Sequence, residues 1–143
     1  MPGDGPATTI AGWISVLNTI CARARAGLLA WDVRKLIALA AAQGLQPHRV
    51  RLAGIAELDQ RYWFSEPGDE PTPRAIAEHL KLVQAADTGY PILLDAQGRL
   101  MDGMHRAVKR LSQGHNEIWA LRFASTPEPD FVGVAADELP YAD

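Results

Sequence analysis

The chain has 143 residues with a hydrophobic fraction of 48% and a charged fraction of 22%, which suits one globular domain with a modest core. A single cysteine, Cys21, excludes an internal disulfide and a cysteine-cluster metal site and makes the cytoplasm the expected compartment. The net charge is −3, and residues 125–143 carry Glu128, Asp130, Asp137, Glu138 and Asp143 with no Lys or Arg, so tight binding of this chain alone to duplex DNA is not expected.

Residues 1–7 read as an irregular lead-in. No charged start followed by an apolar run is present, so neither a secretory signal nor a membrane span is expected. Ile10, Trp13, Ile14, Leu17, Cys21, Ala24 and Leu28 recur at alternating spacings of three and four. That stripe predicts a helix packing on its own copy or on Val33 to Ala41, with a homodimer slightly favoured. Asp32 is placed to cap a second helix, with Val33, Leu36, Ile37, Ala40 and Ala41 on one face and Gly44 as its stop. Residues 1–46 thus form a helical extension.

From Pro47 the period changes. His48 to Leu52 alternates as a short strand does, Ala53 to Leu58 fits one helical turn, and Arg61 to Pro71 is a loop rich in aromatic and acidic residues. Thr72-Pro73 is a helix start, with Ile76, Leu80 and Val83 as the expected buried face. Pro91-Ile92-Leu93-Leu94, the turn Asp95-Ala96-Gln97-Gly98 and Arg99-Leu100-Met101 predict a hairpin. Asp102-Gly103 then opens a helix with Met104, Ala107, Val108 and Leu111 inward, and Ile118 to Phe123 is a closing strand. Residues 47–124 form an α+β domain of this kind, and residues 125–143 an acidic tail.

The Asp102-Gly103 corner is where chemistry is expected. Asp102 can cap the helix, Gly103 permits close approach of a ligand, and the first-turn amides carry partial positive charge. His105 and Arg106 share that turn, and Lys109 lies one turn on. Amides, an imidazole and a guanidinium together suit a phosphate. On spacing alone the alternative is a plain turn followed by solvated surface. From the inward positions of Met104, Ala107, Val108 and Leu111, Arg106 is expected to project away from the core as the main phosphate ligand.

The run from Tyr90 to Arg106, with its Pro91-led apolar strand, its hairpin and its Asp102-Gly103-Met104-His105-Arg106 corner, resembles the core of the ParB/sulfiredoxin fold. The order of elements matches over residues 48–124, and Leu139-Pro140-Tyr141 adds a similarity to small bacterial ParB-like proteins. The resemblance implies a small mixed sheet with packed helices, here with two extra N-terminal helices. It also implies that the corner binds phosphates of ATP, ADP or CTP. Met104 stands where sulfiredoxins carry their cysteine, so that nucleophile is missing. Partition-type relatives have two adjacent arginines where this chain has His105-Arg106. Free-serine kinases of the same fold place a catalytic Glu early in the domain, a position comparable to Glu57, with Asp59 as its rival.

Two function classes follow. One is a nucleotide-binding protein, with Gly103, Met104, His105, Arg106 and Lys109 at the phosphates and Thr72 and Arg74 at the pocket edge. As an enzyme it would transfer a phosphoryl group to a small hydroxyl compound, with Glu57 or Asp102 as base and Mg²⁺ carried in by the phosphates. The other class is a non-catalytic adaptor or regulatory module acting through a protein partner. Among the remaining candidates, His79 reads as a surface or half-buried histidine and His115 as a solvated one. Trp13, Trp31 and Trp119 read as core or interface aromatics, and only Trp63, in its acidic loop, is placed to serve a ligand.

Overall fold

The computed structural model describes residues 19–24, 27–65, 67–128 and 131–132. It is a mixed α+β structure. Among the described residues there are three α-helices, a four-stranded mixed sheet and a smaller three-stranded sheet.

Strand β1 (Thr19–Ala24) and strand β2 (Gly27–Asp32) pair antiparallel, from Thr19 opposite Asp32 to Ala24 opposite Gly27. This corrects the first expected helix, whose residues 19–24 and 27–28 are extended here; residues 10–18 and 25–26 lie outside the described residues. Gly27 costs a helix interior about 1 kcal/mol relative to Ala, and Thr19 and Ile20 are β-branched. Pairing along the whole hairpin satisfies the backbone as fully as a helix would, so the apolar spacing did not decide the outcome. The helical seam invoked for a homodimer is therefore missing over these residues.

The second helix forms as expected. In α1 (Val33–Ala42) the Asp32 carboxylate accepts from the Arg34 amide at 3.0 Å, and Gly44, at φ 63°, turns the chain away. Val33, Leu36, Ile37 and Ala40 are buried.

Strand β3 (His48–Arg51) leads into two 3₁₀ turns, Leu52–Gly54 and Ala56–Asp59. After the aromatic loop comes α2 (Pro73–Ala85), with the Thr72 hydroxyl accepting from the Ala75 amide at 3.2 Å. Then follow β4 (Ile92–Leu94), β5 (Leu100–Asp102), α3 (Met104–Ser112), β6 (Glu117–Arg122) and β7 (Phe131–Val132). The larger sheet runs β3-β6-β4-β5: β4 and β6 are parallel neighbours in its centre, and the two outer pairings are antiparallel. β7 pairs with β2 in the smaller sheet. The β4–β5 turn is held by the buried Asp95 carboxylate, which accepts from the amides of Gln97 and Arg99 and from Arg99 Nε at 2.7 Å.

Strand parity divides the core into two layers. Leu93, Met101 and Leu121, with Phe123 just past β6, face α1 and Trp31. Ile92, Leu94, Leu100, Ile118 and Ala120 face Met104 and Ala107 of α3, with Leu52 and Ile55 closing the edge. Helix α2 packs on α3 and lies one layer farther from the sheet. That placement corrects the expected burial. Val83 is buried, but Ile76 is 46% exposed and Leu80 50%, because α2 has only one helix to lean on. Leu111, expected inside, is 51% exposed at the last turn of α3. Among the described residues no helix is long and apolar enough to cross a membrane.

Candidate functional site

The end of β5 and the start of α3 meet at Gly103, which has φ 110° and is the N-cap of the helix. A Cβ there would sit 2.5 Å from Ile92 Cγ2 and 2.9 Å from an Arg106 guanidinium nitrogen, so only glycine fits. As the N-cap of α3, Gly103 makes no side-chain cap bond. The first helical bond runs from the Ala107 amide to the Gly103 carbonyl, which leaves the amides of Met104, His105 and Arg106 with no carbonyl of their own helix to donate to.

The charged residues of this corner are not arranged as expected. Arg106 turns inward instead of outward. One guanidinium nitrogen donates to the Asp102 carboxylate at 3.0 Å and to the Pro91 carbonyl at 3.1 Å, and the side chain is 11% exposed. The spacing of four residues between Asp102 and Arg106 makes the ion pair, and with the carboxylate only 6% exposed the guanidinium is drawn down beside it. Asp102 is therefore a partner of Arg106 and not the helix cap. Arg106 Nε is buried and has no hydrogen-bond partner among the described residues. Lys109 is also engaged elsewhere: its ammonium donates to the carbonyls of Gln84 and Ala86 at 2.9 and 2.8 Å, closing the C-terminus of α2.

His105 is half-buried, and its partner is unexpected. His79 Nδ1 and His105 Nε2 lie 3.0 Å apart, joining α2 to α3. The ring centroids are 5.3 Å apart and the planes are within 22°. Subtracting two ring radii from the centroid separation leaves about the observed nitrogen distance, so the two rings meet edge to edge and the N–H···N bond is nearly linear. The Trp63 indole lies across both, 4.1 Å from His79 at 10° and 4.8 Å from His105 at 20°. Phe64 meets His79 edge-on at 5.7 Å.

This setting keeps the imidazoles neutral. Burial pushes His105 down to about 4, helped by His79 and Arg106 and opposed by the Asp102 carboxylate. His79 is lowered by burial, against a raising effect of Glu78.

Beside the pair lies an open groove of about 510 Å³, lined by Trp63, Phe64, Thr72, Arg74 and His79 and by three carboxylates, Asp69, Glu70 and Glu78. Thr72 and Arg74 are thus at a pocket edge as expected, although the Thr72 hydroxyl caps α2. The carboxylates outnumber the single guanidinium, so the groove disfavours a bare polyphosphate and favours a neutral or cationic group. Glu57 is apart from it: its carboxylate accepts from the Leu100 amide at 3.2 Å. His79 is half-buried, one of the two settings expected of it, but neither it nor Phe64 of the aromatic loop was expected at the site. The available signal was that His79 shares one face of α2 with Ile76, Leu80 and Val83, an odd position for a surface histidine.

No protein-family model matches the chain, and no curated protein or solved structure matches it either.

Proposed function

We propose that the protein binds the phosphates of a nucleotide at the N-terminus of α3, within a domain of the ParB/sulfiredoxin type. The observation that carries this reading is the uncapped first turn behind Gly103, beside a buried guanidinium whose Nε lacks a partner. Helix starts normally satisfy their amides with a side-chain oxygen, and a phosphate oxygen does the same work with more charge. Arg106 supports the site from below and contributes its positive charge, while the amides of Met104 to Arg106 make the direct contacts. Among the described residues no three metal-ligating side chains converge, so Mg²⁺ would be held chiefly by the phosphates.

Calorimetric titration with ATP, ADP and CTP in the presence of Mg²⁺ tests the reading. Saturable binding, weakened by inorganic pyrophosphate as competitor, is expected. Absence of heat with all three nucleotides refutes it. The adaptor reading then takes its place, supported by the half-exposed Ile76 and Leu80 one turn apart on α2.

A further inference from the structure

We infer that His79 and His105 form a two-imidazole proton relay, in which His79 takes the proton of a hydroxyl-bearing ligand seated in the groove and His105 delivers it beside the first turn of α3. The inference rests on the phosphate site proposed above and assigns the acid–base chemistry that accompanies it.

Three observations support it. First, the contact is linear and uses one nitrogen of each ring, so the other nitrogen of each ring is left for a second partner. Two histidines converging on a metal ion would aim both lone pairs at a third point; these aim at each other. Second, the two outer nitrogens reach different places. His79 lines the groove, and its Nε2 is the ring end farthest from its own backbone. His105 Nδ1 is attached next to Cγ, and so lies close to its own first turn of α3. Third, Trp63 stacks on both rings, at 4.1 Å from His79 and 4.8 Å from His105, and so covers one side of the pair. The charged groups facing the pair are Glu78 beside His79, and Asp102 and Arg106 beside His105. Burial holds both rings neutral, so a lone pair is ready at neutral pH.

The proton count closes. With the pair neutral, His79 carries its proton on Nδ1 and donates it to His105 Nε2, while His105 carries its own on Nδ1. A hydroxyl group in the groove gives its proton to His79 Nε2 as its oxygen forms a bond to the terminal phosphorus of a nucleoside triphosphate. The Nδ1 proton of His79 passes to His105, and the Nδ1 proton of His105 leaves to the departing phosphate oxygen. The bond from that oxygen to phosphorus breaks, and its electron pair stays with the nucleoside diphosphate. Both rings are left as their Nε2–H tautomers. Exchange with water at the two outer nitrogens, His79 Nε2 losing a proton and His105 Nδ1 gaining one as the shared proton returns, restores the starting pair. The two carboxylates expected from the sequence are less suited to this role, since Glu57 is bonded to a backbone amide and Asp102 to Arg106.

The test uses the full chain, ATP, Mg²⁺ and a panel of small hydroxyl compounds, with glycerol, sugars and water itself as acceptors. Binding of ATP is followed by calorimetry and turnover by ADP release. The relay predicts that His79→Gln binds ATP within about threefold of wild type while turnover falls about 100-fold or more. It also predicts that added imidazole restores turnover to His79→Ala, which a purely structural histidine would not allow. Wild type that binds ATP but turns over none, or His79→Gln that turns over at the wild-type rate, overturns the relay and leaves the phosphate site standing. Failure of wild type to bind ATP, ADP or CTP removes the phosphate site, and the relay with it.

Discussion

The two helix starts that frame the groove are built in opposite ways. At α2, Thr72 closes the Ala75 amide and Pro73 removes a donor from the first turn, so little is left for a ligand. At α3 the cap is Gly103 in a left-handed conformation, which has no side chain to offer the amides. The first is a helix start optimised for stability. The second forgoes that stabilisation and is held in place from outside, by Ile92 against Gly103 and by the Asp102–Arg106 pair beneath it. An N-terminus kept open by its surroundings is one suited to an incoming anion.

The largest expected effect comes from Gly103→Ala. The new Cβ meets Ile92 at 2.5 Å and the backbone must hold φ 110°, so a loss of at least about 3 kcal/mol in urea denaturation is expected. A loss under about 1 kcal/mol would mean that the corner is not held as described.

Arg106→Ala comes next. It leaves the Asp102 carboxylate buried without its guanidinium, which costs about 3 kcal/mol, so the variant is less stable whether or not it binds nucleotide. The double variant Asp102→Leu/Arg106→Met should recover much of that loss, because it removes the uncompensated charge. Denaturant midpoints of the three proteins measure this directly.

Acid should act through the histidine pair. An unfolded His105 takes its proton near pH 6.5, whereas the folded site keeps it neutral down to about 4. Between those values the unfolded state binds more protons, so stability falls as the pH is lowered through this window and levels off beneath it. His79, also lowered, acts in the same direction. Melting temperatures recorded across the window should slope downward toward acid, and His79→Gln/His105→Gln should flatten the slope. Side-chain NMR should also find the His105 titration moved upward in His79→Gln, as a neighbour that lowers it is lost.

The smallest effect belongs to the capped start. Thr72→Ala should cost about 1 kcal/mol and leave nucleotide affinity unchanged, since its hydroxyl serves the Ala75 amide. A drop in affinity would move the phosphate site toward α2 and blur the contrast between the two helices.

Local signals determined most of the elements. Asp32 and Gly44 bound α1, Thr72-Pro73 starts α2, Gly98 turns the hairpin, and Gly103 opens α3, because each acts through its own backbone or the amide a few residues on. The strand-to-helix turn at residues 102–104 was legible for the same reason, but not the arrangement of the charges around it. Long-range pairing was not. The apolar spacing before residue 32 fits a helix, yet residues 19–24 and 27–32 pair as strands, since strand partners are chosen by tertiary contacts that periodicity does not encode. Side-chain direction also escaped. Arg106 was drawn inward by Asp102 and Pro91, and Lys109 was taken by the end of α2, because a buried charge goes where its partner is. The meeting of Trp63, His79 and His105 was decided by tertiary structure alone. Three residues on a loop and two helices, far apart in the chain, come together only when α2 packs on α3.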